Sequence, residues 1–173
     1  MKKLMLYLIA GLLLVTQTAH SQGQSELTEL ATFLEKKEYI AIPIKKFPTG
    51  HLYLIAEVND TTAMLILDTG AGATVFEGKG ADKFQMKPSV SDVEATGAGG
   101  SNLAMKTASV EKFTMAGYSL DNLEVYLMCL NHVNGAFQQL GLDPVDGVIG
   151  ADILTTGKAI IDYGNLVLYL KNP

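Results

Sequence analysis

The sequence predicts a mostly-β fold, a small closed or sandwich-like β structure with one or two short helices and an N-terminal helical extension. Short runs rich in β-branched and aromatic residues follow one another from Tyr39 onward, and glycine-containing turns separate them. The chain has 173 residues, of which 48% are hydrophobic and 18% charged, and this composition is typical of one globular domain. We therefore expect a single domain, residues 39–173, behind an N-terminal addition.

The first 21 residues have the pattern of a secretory signal. Two lysines precede an apolar run from Leu4 to Val15, and this run of 12 residues is too short to cross a bilayer, which takes about 20. Ala19 and Ser21 stand three and one residues before a plausible cleavage point ahead of Gln22. We expect residues 1–21 to be removed and the protein to be exported, periplasmic or extracellular, with membrane contact only through the signal before its cleavage. The alternative is an uncleaved N-terminal anchor.

The first predicted elements are a helix and a set of strands. Residues 22–38 are expected to form the helical extension, because Ser25 can cap a helix whose apolar residues recur on one face. The run YIAIPIKKF contains Pro43, so it can be an edge strand at best. Two β-rich runs flank Asn59-Asp60, and this pair predicts a hairpin turn.

The second half of the domain continues the same pattern. Two strands joined by a glycine-rich tip, residues 97–101, are predicted first, and Gly117-Tyr118 predicts another turn. The stretch NHVNGAFQQLGLDPVDG is expected to be irregular, with at most one helical turn. GVIGADIL predicts a short buried strand that runs into a helix, and the last two strands are expected around a tight turn at Asp162 to Asn165.

Charge and residue usage argue against several classes of protein. Without the signal, 11 basic residues (13 less two) face 18 acidic residues, a net charge of −7, and every basic residue is lysine. This balance does not suit a nucleic-acid partner or an anionic membrane surface. His51 and His132 lack metal-ligand spacing, and neither a phosphate loop nor a serine-hydrolase elbow occurs, so we expect no metal and no cofactor. Cys129, the only cysteine, is predicted to be a small buried hydrophobe, with a reactive thiol as the alternative.

The phrase LILDTGAGATVF places Asp68 at the end of an apolar run that would normally be buried. A buried carboxylate is costly unless it is paired or hydrogen-bonded. In isolation, Asp-Thr-Gly after a strand can simply be a turn. A second phrase, DGVIGADIL, adds two apolar residues and Gly150, which allows a strand to pass close to another backbone.

Together these two phrases resemble the retropepsin-like aspartic proteases in their single-domain exported bacterial form, and the resemblance covers residues 39–170. It implies a small closed acid-protease β-barrel with Asp68 as the catalytic residue. Thr69, Gly70 and Ala71 would support the active-site loop. The resemblance also implies a flap and a bracing strand, formed respectively by Gly97, Ala98, Gly99, Gly100 and Ser101, and by Val148, Ile149 and Gly150.

In that family two carboxylates share one proton, so that one activates water while the other polarises the peptide carbonyl. This chain has one Asp-Thr-Gly, and a turn or helix-start role suffices for Asp146, Asp152 and Asp162. The resemblance therefore implies a homodimer in which Asp68 meets its symmetry mate, with an extended peptide or protein as substrate. The alternatives are a peptide-binding module with little or no turnover, and a structural β-domain in which the triplet is only a turn.

Three departures from the family pattern stand out. Gly72 and Ala151 occupy places where retroviral members usually carry an acidic residue and an arginine. Residues 118–146 form a longer segment than in retroviral enzymes, one that could cover the site. The helical extension is expected to be structural, although a removable pro-segment is the alternative.

Overall fold

The computed structural model describes residues 29–89, 94–97 and 100–173. The predicted signal, the start of the helical extension and Ala98 and Gly99 of the predicted flap therefore lie outside the described residues. Residues 29–35 are helical and belong to one compact unit, and Tyr39–Pro173 is a second. Among the described residues, no helix is both long enough and apolar enough to cross a membrane.

The second unit is built mainly from short strands. The described strands, numbered in chain order, are β1 (Tyr39–Pro43), β2 (Lys45–Lys46), β3 (Leu52–Val58), β4 (Thr61–Leu67), β5 (Val75–Glu77), β6 (Glu94–Gly97), β7 (Gly100–Ala104), β8 (Lys106–Met115), β9 (Tyr118–Met128), β10 (Gly147–Ile149), β11 (Ile160–Asp162) and β12 (Val167–Lys171). Two α-helices follow β9 and β10, namely α1 (Asn131–Gln139) and α2 (Ala151–Thr156), and two 3₁₀ turns span Gly78–Gly80 and Asp82–Phe84.

Six of these strands close into a barrel, in the order β3, β4, β10, β5, β9 and β8. Pairing of Val58 on β3 with Phe113 on β8 completes the ring. Along β4 the side chains alternate, and Leu65 and Leu67 enter the main core inside the barrel. β10 lies between β4, to which it is parallel, and β5, to which it is antiparallel. The predicted mostly-β, closed architecture is thus confirmed.

The remaining strands form two smaller sheets. β1, β12 and β11 make a three-stranded sheet in which β1 lies at the edge, as the proline in it requires. β6 and β7 form a separate hairpin. The turn between β3 and β4 has φ of 48° at Asn59 and 61° at Asp60, the left-handed geometry of a tight hairpin, which confirms the turn expected there.

Two local expectations were wrong. α1 is a helix of nine residues rather than a single turn, because contacts with other elements fix it where its own sequence is a weak helix former. Cys129 is exposed rather than buried. Val125 and Leu127 point into the core, but β9 ends at Met128, and Leu130 occupies the buried position beyond it.

Tyr118 carries the one buried side-chain polar atom that lacks a hydrogen-bond partner in the described part of the chain. The residue is 0% exposed and packs in the main core, and burial raises the pKa of its hydroxyl. An unpaired buried hydroxyl is unfavourable, so Tyr118→Phe should increase the free energy of unfolding by about 1 kcal/mol. Urea unfolding of both proteins tests this expectation, and a lower midpoint for the phenylalanine variant would contradict it.

Asp162 shapes the turn between β11 and β12. Its carboxylate accepts hydrogen bonds from the Asn165 side chain (2.6 Å) and backbone N–H (3.0 Å), and these bonds lower the pKa of Asp162. Because this pKa is lower in the folded chain than in the unfolded chain, the ionised carboxylate stabilises the fold at pH values above the ordinary carboxyl pKa. This stabilisation is lost as the pH falls through the pKa of the folded state. Asp162→Ala should therefore reduce stability at pH 7 and make little difference near pH 2. Thermal unfolding at both pH values checks this, and an equal loss at both would contradict it.

Candidate active site

Asp68 lies directly after β4, where the strand runs parallel to β10. Its backbone N–H donates to the Ile149 carbonyl (3.1 Å), so the pairing continues one residue past the end of the strand. Because side chains alternate along a strand, Asp68 shares a face with Met64 and Ile66, outside the barrel. Its side chain is exposed. The fold thus presents this carboxylate on an outer surface rather than burying it.

The next residues turn tightly around that carboxylate. The Gly70 N–H donates to Asp68 Oδ1 (2.8 Å), and the Ala71 N–H donates to the Asp68 carbonyl (3.2 Å). A Cβ added at Gly70 would lie 3.2 Å from Asp68 Oδ1, so a side chain there would crowd the carboxylate. Thr69 is exposed beside it. The structure therefore brings together Asp68, Thr69, Gly70 and Ala71 in one loop.

The end of β10 packs against this loop. The Ala151 N–H donates to the Ala71 carbonyl (2.7 Å). A Cβ at Gly150 would lie 2.5 Å from the Ala73 carbonyl carbon and oxygen and 2.9 Å from the Ala71 oxygen, and real Cβ atoms do not approach backbone so closely. Gly147 is similarly pressed against the Val75 carbonyl. Val148, Ile149 and Gly150 are all buried, and this strand holds the loop from beneath.

A hydrogen-bonded pair that the sequence did not reveal ties the loop to α2. Asp152 Oδ2 accepts the Thr74 N–H (2.8 Å), and its Oδ1 accepts the Thr74 hydroxyl (2.8 Å). The hydroxyl oxygen in turn accepts the Gly150 N–H (3.2 Å), and Thr74 is 0% exposed. Asp152 also accepts the Ile153 N–H (2.8 Å), the helix-start role its position suggests. The feature of the sequence that could have indicated this pair is the threonine among the apolar residues of GATVF, because a buried hydroxyl needs a hydrogen-bond partner.

The other carboxylates near apolar runs are engaged elsewhere. Asp146 accepts the Met64 N–H (2.9 Å) and forms an ion pair with Lys83 (2.7 Å). Asp152 is bound to Thr74, and Asp162 closes its own hairpin turn. Among the residues the structure describes, no group of three or more histidine, cysteine or acidic side chains could hold a metal ion. All three of these aspartates are therefore bonded to other groups, and none of them supplies a partner carboxylate for Asp68.

The predicted flap falls on the β6–β7 hairpin. Gly97 pairs with Gly100, Glu94 pairs with Ala104, and the register shifts between Ala95 and Gly97. Ser101 continues β7. The strands expected on either side of the glycine-rich tip are present, and of the five tip residues only Ala98 and Gly99 lie outside the described range.

Comparison with known proteins identifies the family. Residues 54–153, more than half of the chain, match the family described as "Aspartyl protease". The chain belongs to this aspartyl protease family. No curated protein matches it significantly.

Solved structures of similar fold include a retropepsin-like aspartic protease from Rickettsia conorii. It has 20% sequence identity and a TM-score of 0.50, over 76% of this chain and 90% of that chain. A complex of EIAV protease with the inhibitor HBY-793 has 18% identity and a TM-score of 0.47, over 64% and 91% of the two chains. The retroviral protease-like domain of Ddi1 from Leishmania major has 18% identity and a TM-score of 0.48, over 71% and 90%.

For this aspartyl protease, the matched range begins in β3 and ends in α2. It therefore contains the Asp68 loop, the β6–β7 hairpin and the strand that ends at Gly150. The Rickettsia structure agrees in fold with the retropepsin-like barrel described above. The chain is accordingly an aspartic endopeptidase, and the exposed Asp68 lies within the matched range.

Proposed function

We propose that this aspartyl protease is an exported endopeptidase whose site forms when two identical chains each contribute Asp68. The proposal is carried by the bonding of the three other aspartates that lie near apolar runs, which leaves none of these three to pair with Asp68. Asp68 is exposed on a loop fixed by Gly150 and Asp152, while Asp146, Asp152 and Asp162 are engaged elsewhere. A two-carboxylate mechanism then requires a second chain, and a two-fold axis beside Asp68 supplies an identical carboxylate.

The chemistry follows from placing two carboxylates at contact distance. Both cannot ionise, since like charges that close repel, and so the pair holds one proton. The ionised member takes a proton from a water molecule, whose oxygen attacks the peptide carbonyl carbon. The protonated member donates to the carbonyl oxygen, which gives a tetrahedral species with two hydroxyls. The carboxyl that took the proton from water passes it to the amide nitrogen as the C–N bond breaks, and one hydroxyl returns its proton to the other carboxylate. The products are a carboxylic acid and an amine, and the pair regains its starting protonation.

The surface beside Asp68 supports docking of a second copy. A groove of about 430 Å³ begins at Thr69 and runs between α2 and β11. Four apolar residues from α2, β11 and the turn between them line it, namely Ala151, Leu154, Ala159 and Ile161, together with Thr155 and Lys158. Ile160, on β11 next to it, is 37% exposed. Burying such a surface favours association, and the position of Thr69 places the catalytic loop at its edge.

The substrate of such a site is a peptide in extended form. The β6–β7 hairpin offers strand backbone, and an extended chain can add hydrogen bonds to strand backbone while its side chains enter separate pockets. As a flap this hairpin would close over the bound peptide and exclude water.

Export rests on the N-terminal pattern of residues 1–21. Expression of the full chain in a bacterium with a secretory pathway should yield an exported protein that begins at Gln22. Intact-mass measurement of the exported and retained fractions tests this. Retention of the full chain, with residues 1–21 still attached, would contradict export of a processed form.

The proposal is tested by sedimentation together with cleavage of a mixed peptide library from acid to neutral pH. We expect the mature chain to dimerise and to cut peptides, and a pepstatin-like transition-state mimic to block the cutting. A dimer that cuts nothing at any pH would overturn the peptidase proposal in favour of a peptide-binding module. A fully active monomer would overturn the shared site.

A further inference from the structure

The first half of the loop formed by residues 68–74 is attached to the neighbouring chain by backbone bonds. At its start, the Asp68 N–H donates to the Ile149 carbonyl (3.1 Å), and in its middle the Ala71 carbonyl accepts the Ala151 N–H (2.7 Å). Backbone bonds of this kind do not depend on which side chains the loop carries. The position of Asp68 along β10 is therefore fixed by the main chain.

The far end of the loop is attached to the same stretch of chain through side chains. The backbone pairing of β5 with β10 ends at Val75 and Val148. Directly beyond it, the carboxylate of Asp152 accepts both the N–H and the hydroxyl of Thr74, each at 2.8 Å. The Thr74–Asp152 pair thus continues the attachment past the end of the ladder and onto the start of α2.

The geometry of this pair requires a hydroxyl on one side and a carboxylate on the other. The Thr74 hydroxyl accepts the Gly150 N–H (3.2 Å), so its own proton is directed at Asp152. Asp152 also accepts the Ile153 N–H (2.8 Å) and so faces donors only. An amide in its place would set an NH₂ group against one of these donors. Because Thr74 is 0% exposed, water cannot replace a lost bond there.

Between its two attachments the loop has little else to hold it. A Cβ at Gly72 would meet nothing within 4 Å, so no neighbouring atom packs closely against that point. Asp68 and Asp152 are the only charged residues in the ranges 68–74 and 149–152, so no ion pair within these ranges braces the loop. One carboxylate is therefore left exposed, while the other is used to hold the loop that carries it.

We propose that Thr74 and Asp152 are positioning residues that set the distance between the two Asp68 carboxylates of the shared site. This proposal rests on the two-chain function proposed above. Two carboxylates share one proton only at contact distance, and a displacement of about 1 Å in a catalytic group can cost about 100-fold in rate. Without the Thr74–Asp152 pair, the loop could move from α2 and carry Asp68 away from its symmetry mate.

The first test compares Thr74→Val, which keeps the side-chain shape but removes the hydroxyl, with Thr74→Ser, which keeps the hydroxyl. In Thr74→Val we expect kcat for peptide cleavage to fall about tenfold or more while KM stays within about twofold. Thr74→Ser should restore most of the rate. A loss of the same size in both variants would show that Thr74 only fills space and would overturn the proposal.

Thr62→Val is the matched control, because it also removes a threonine hydroxyl that donates to a carboxylate. Thr62 donates to Glu57 (2.9 Å) on the exposed side of β4, outside the loop. It should cleave like the wild type, and equal kcat in Thr62→Val and Thr74→Val would overturn the proposal.

The pH profile of cleavage gives a reading that general destabilisation does not move. Repulsion between two close carboxylates sets the two protonation steps of the pair far apart in pH, and the rate is high between them. If the carboxylates separate, the two steps approach each other. The profile of Asp152→Asn, measured where this variant is folded, should therefore be narrower than that of the wild type by about half a pH unit or more. A profile that is lower but equally wide would contradict a positioning role.

Amide hydrogen exchange separates failure of the Thr74–Asp152 pair from failure of catalysis. The N–H groups of Asp68 and Ala151 join the loop to β10 without bonding to Thr74. Both should exchange about tenfold faster or more in Thr74→Val and in Asp152→Asn, and at the wild-type rate in Thr62→Val. Unchanged exchange would overturn the proposal even if the wild type cuts peptides. Faster exchange in a chain that cuts nothing would show that the pair holds the loop and that the proposed function is what fails.

Discussion

Asp68→Asn is expected to lower kcat/KM for peptide cleavage by about 10³-fold or more while leaving the fold unchanged. An asparagine oxygen can still accept the Gly70 N–H that Asp68 Oδ1 accepts at 2.8 Å, so the loop keeps its turn. The amide cannot take a proton from water at any accessible pH, so the step that generates the nucleophile is lost. Steady-state cleavage and urea unfolding of the purified variant measure the two effects separately.

Asp121→Asn is the matched control for that experiment, because Asp121 is exposed on β9 and belongs to neither the loop nor the groove. It should cleave and unfold like the wild type. Retention of more than about a tenth of the activity in Asp68→Asn would show that this carboxylate is not the catalyst. The Asp-Thr-Gly triplet would then be the simple turn that its sequence also allows.

Gly150→Ala is expected to have the second large effect, on stability and activity together. The added Cβ would lie 2.5 Å from the Ala73 carbonyl group and 2.9 Å from the Ala71 oxygen, and both contacts are with backbone that cannot rotate away. Forcing this loop apart should lower the free energy of unfolding by about 3 kcal/mol. It should also displace the loop that carries Asp68, so activity should fall even where the variant remains folded.

Gly72→Ala provides the comparison within the same loop, since a Cβ at Gly72 meets nothing within 4 Å. Its stability should remain within about 0.5 kcal/mol of the wild type. Urea unfolding gives the stability of the two variants. Cleavage assays without denaturant, where each variant is folded, give their activity. Equal behaviour of Gly150→Ala and Gly72→Ala would mean that close packing beneath the loop is not required.

The parts of the fold that could be predicted are those in which a local signal agrees with its surroundings. Asn59-Asp60 tolerates left-handed backbone, and the hairpin between β3 and β4 forms there. Pro43 cannot donate within a sheet, and β1 lies at an edge. Alternating apolar residues on β3 mark one buried face, and these side chains line the barrel interior.

The parts that could not be predicted depend on partners distant in sequence. Thr74 and Asp152 are 78 residues apart, and neither alone shows that a buried hydroxyl and a carboxylate will meet. α1 is held by the bond from Leu130 to Glu77 and by packing of Phe137 in a cluster with Phe47, Ile66 and Val148. Its own residues, which include glycine and asparagine, favour a helix only weakly. The environment of Cys129 depends on where β9 ends, and strand ends are set by the neighbouring element.

The site falls between these two cases. The Asp-Thr-Gly loop and Gly150 could be named from short phrases, because close backbone approach and a tight turn each require particular residues. The contacts that hold the loop in place could be identified only from the structure. Under the proposed two-chain site the second carboxylate would come from a second copy of the chain, and a single sequence carries no direct record of such a copy.

Mixing wild type with Asp68→Asn tests the shared site most directly. The two proteins are combined in varying proportion at constant total concentration, allowed to exchange subunits, and assayed for peptide cleavage. If each site needs Asp68 from both chains, activity follows the square of the wild-type fraction, and an equal mixture retains roughly a quarter of the wild-type rate. Activity that falls in simple proportion, with roughly half retained, would show that one chain suffices and would contradict the two-chain site.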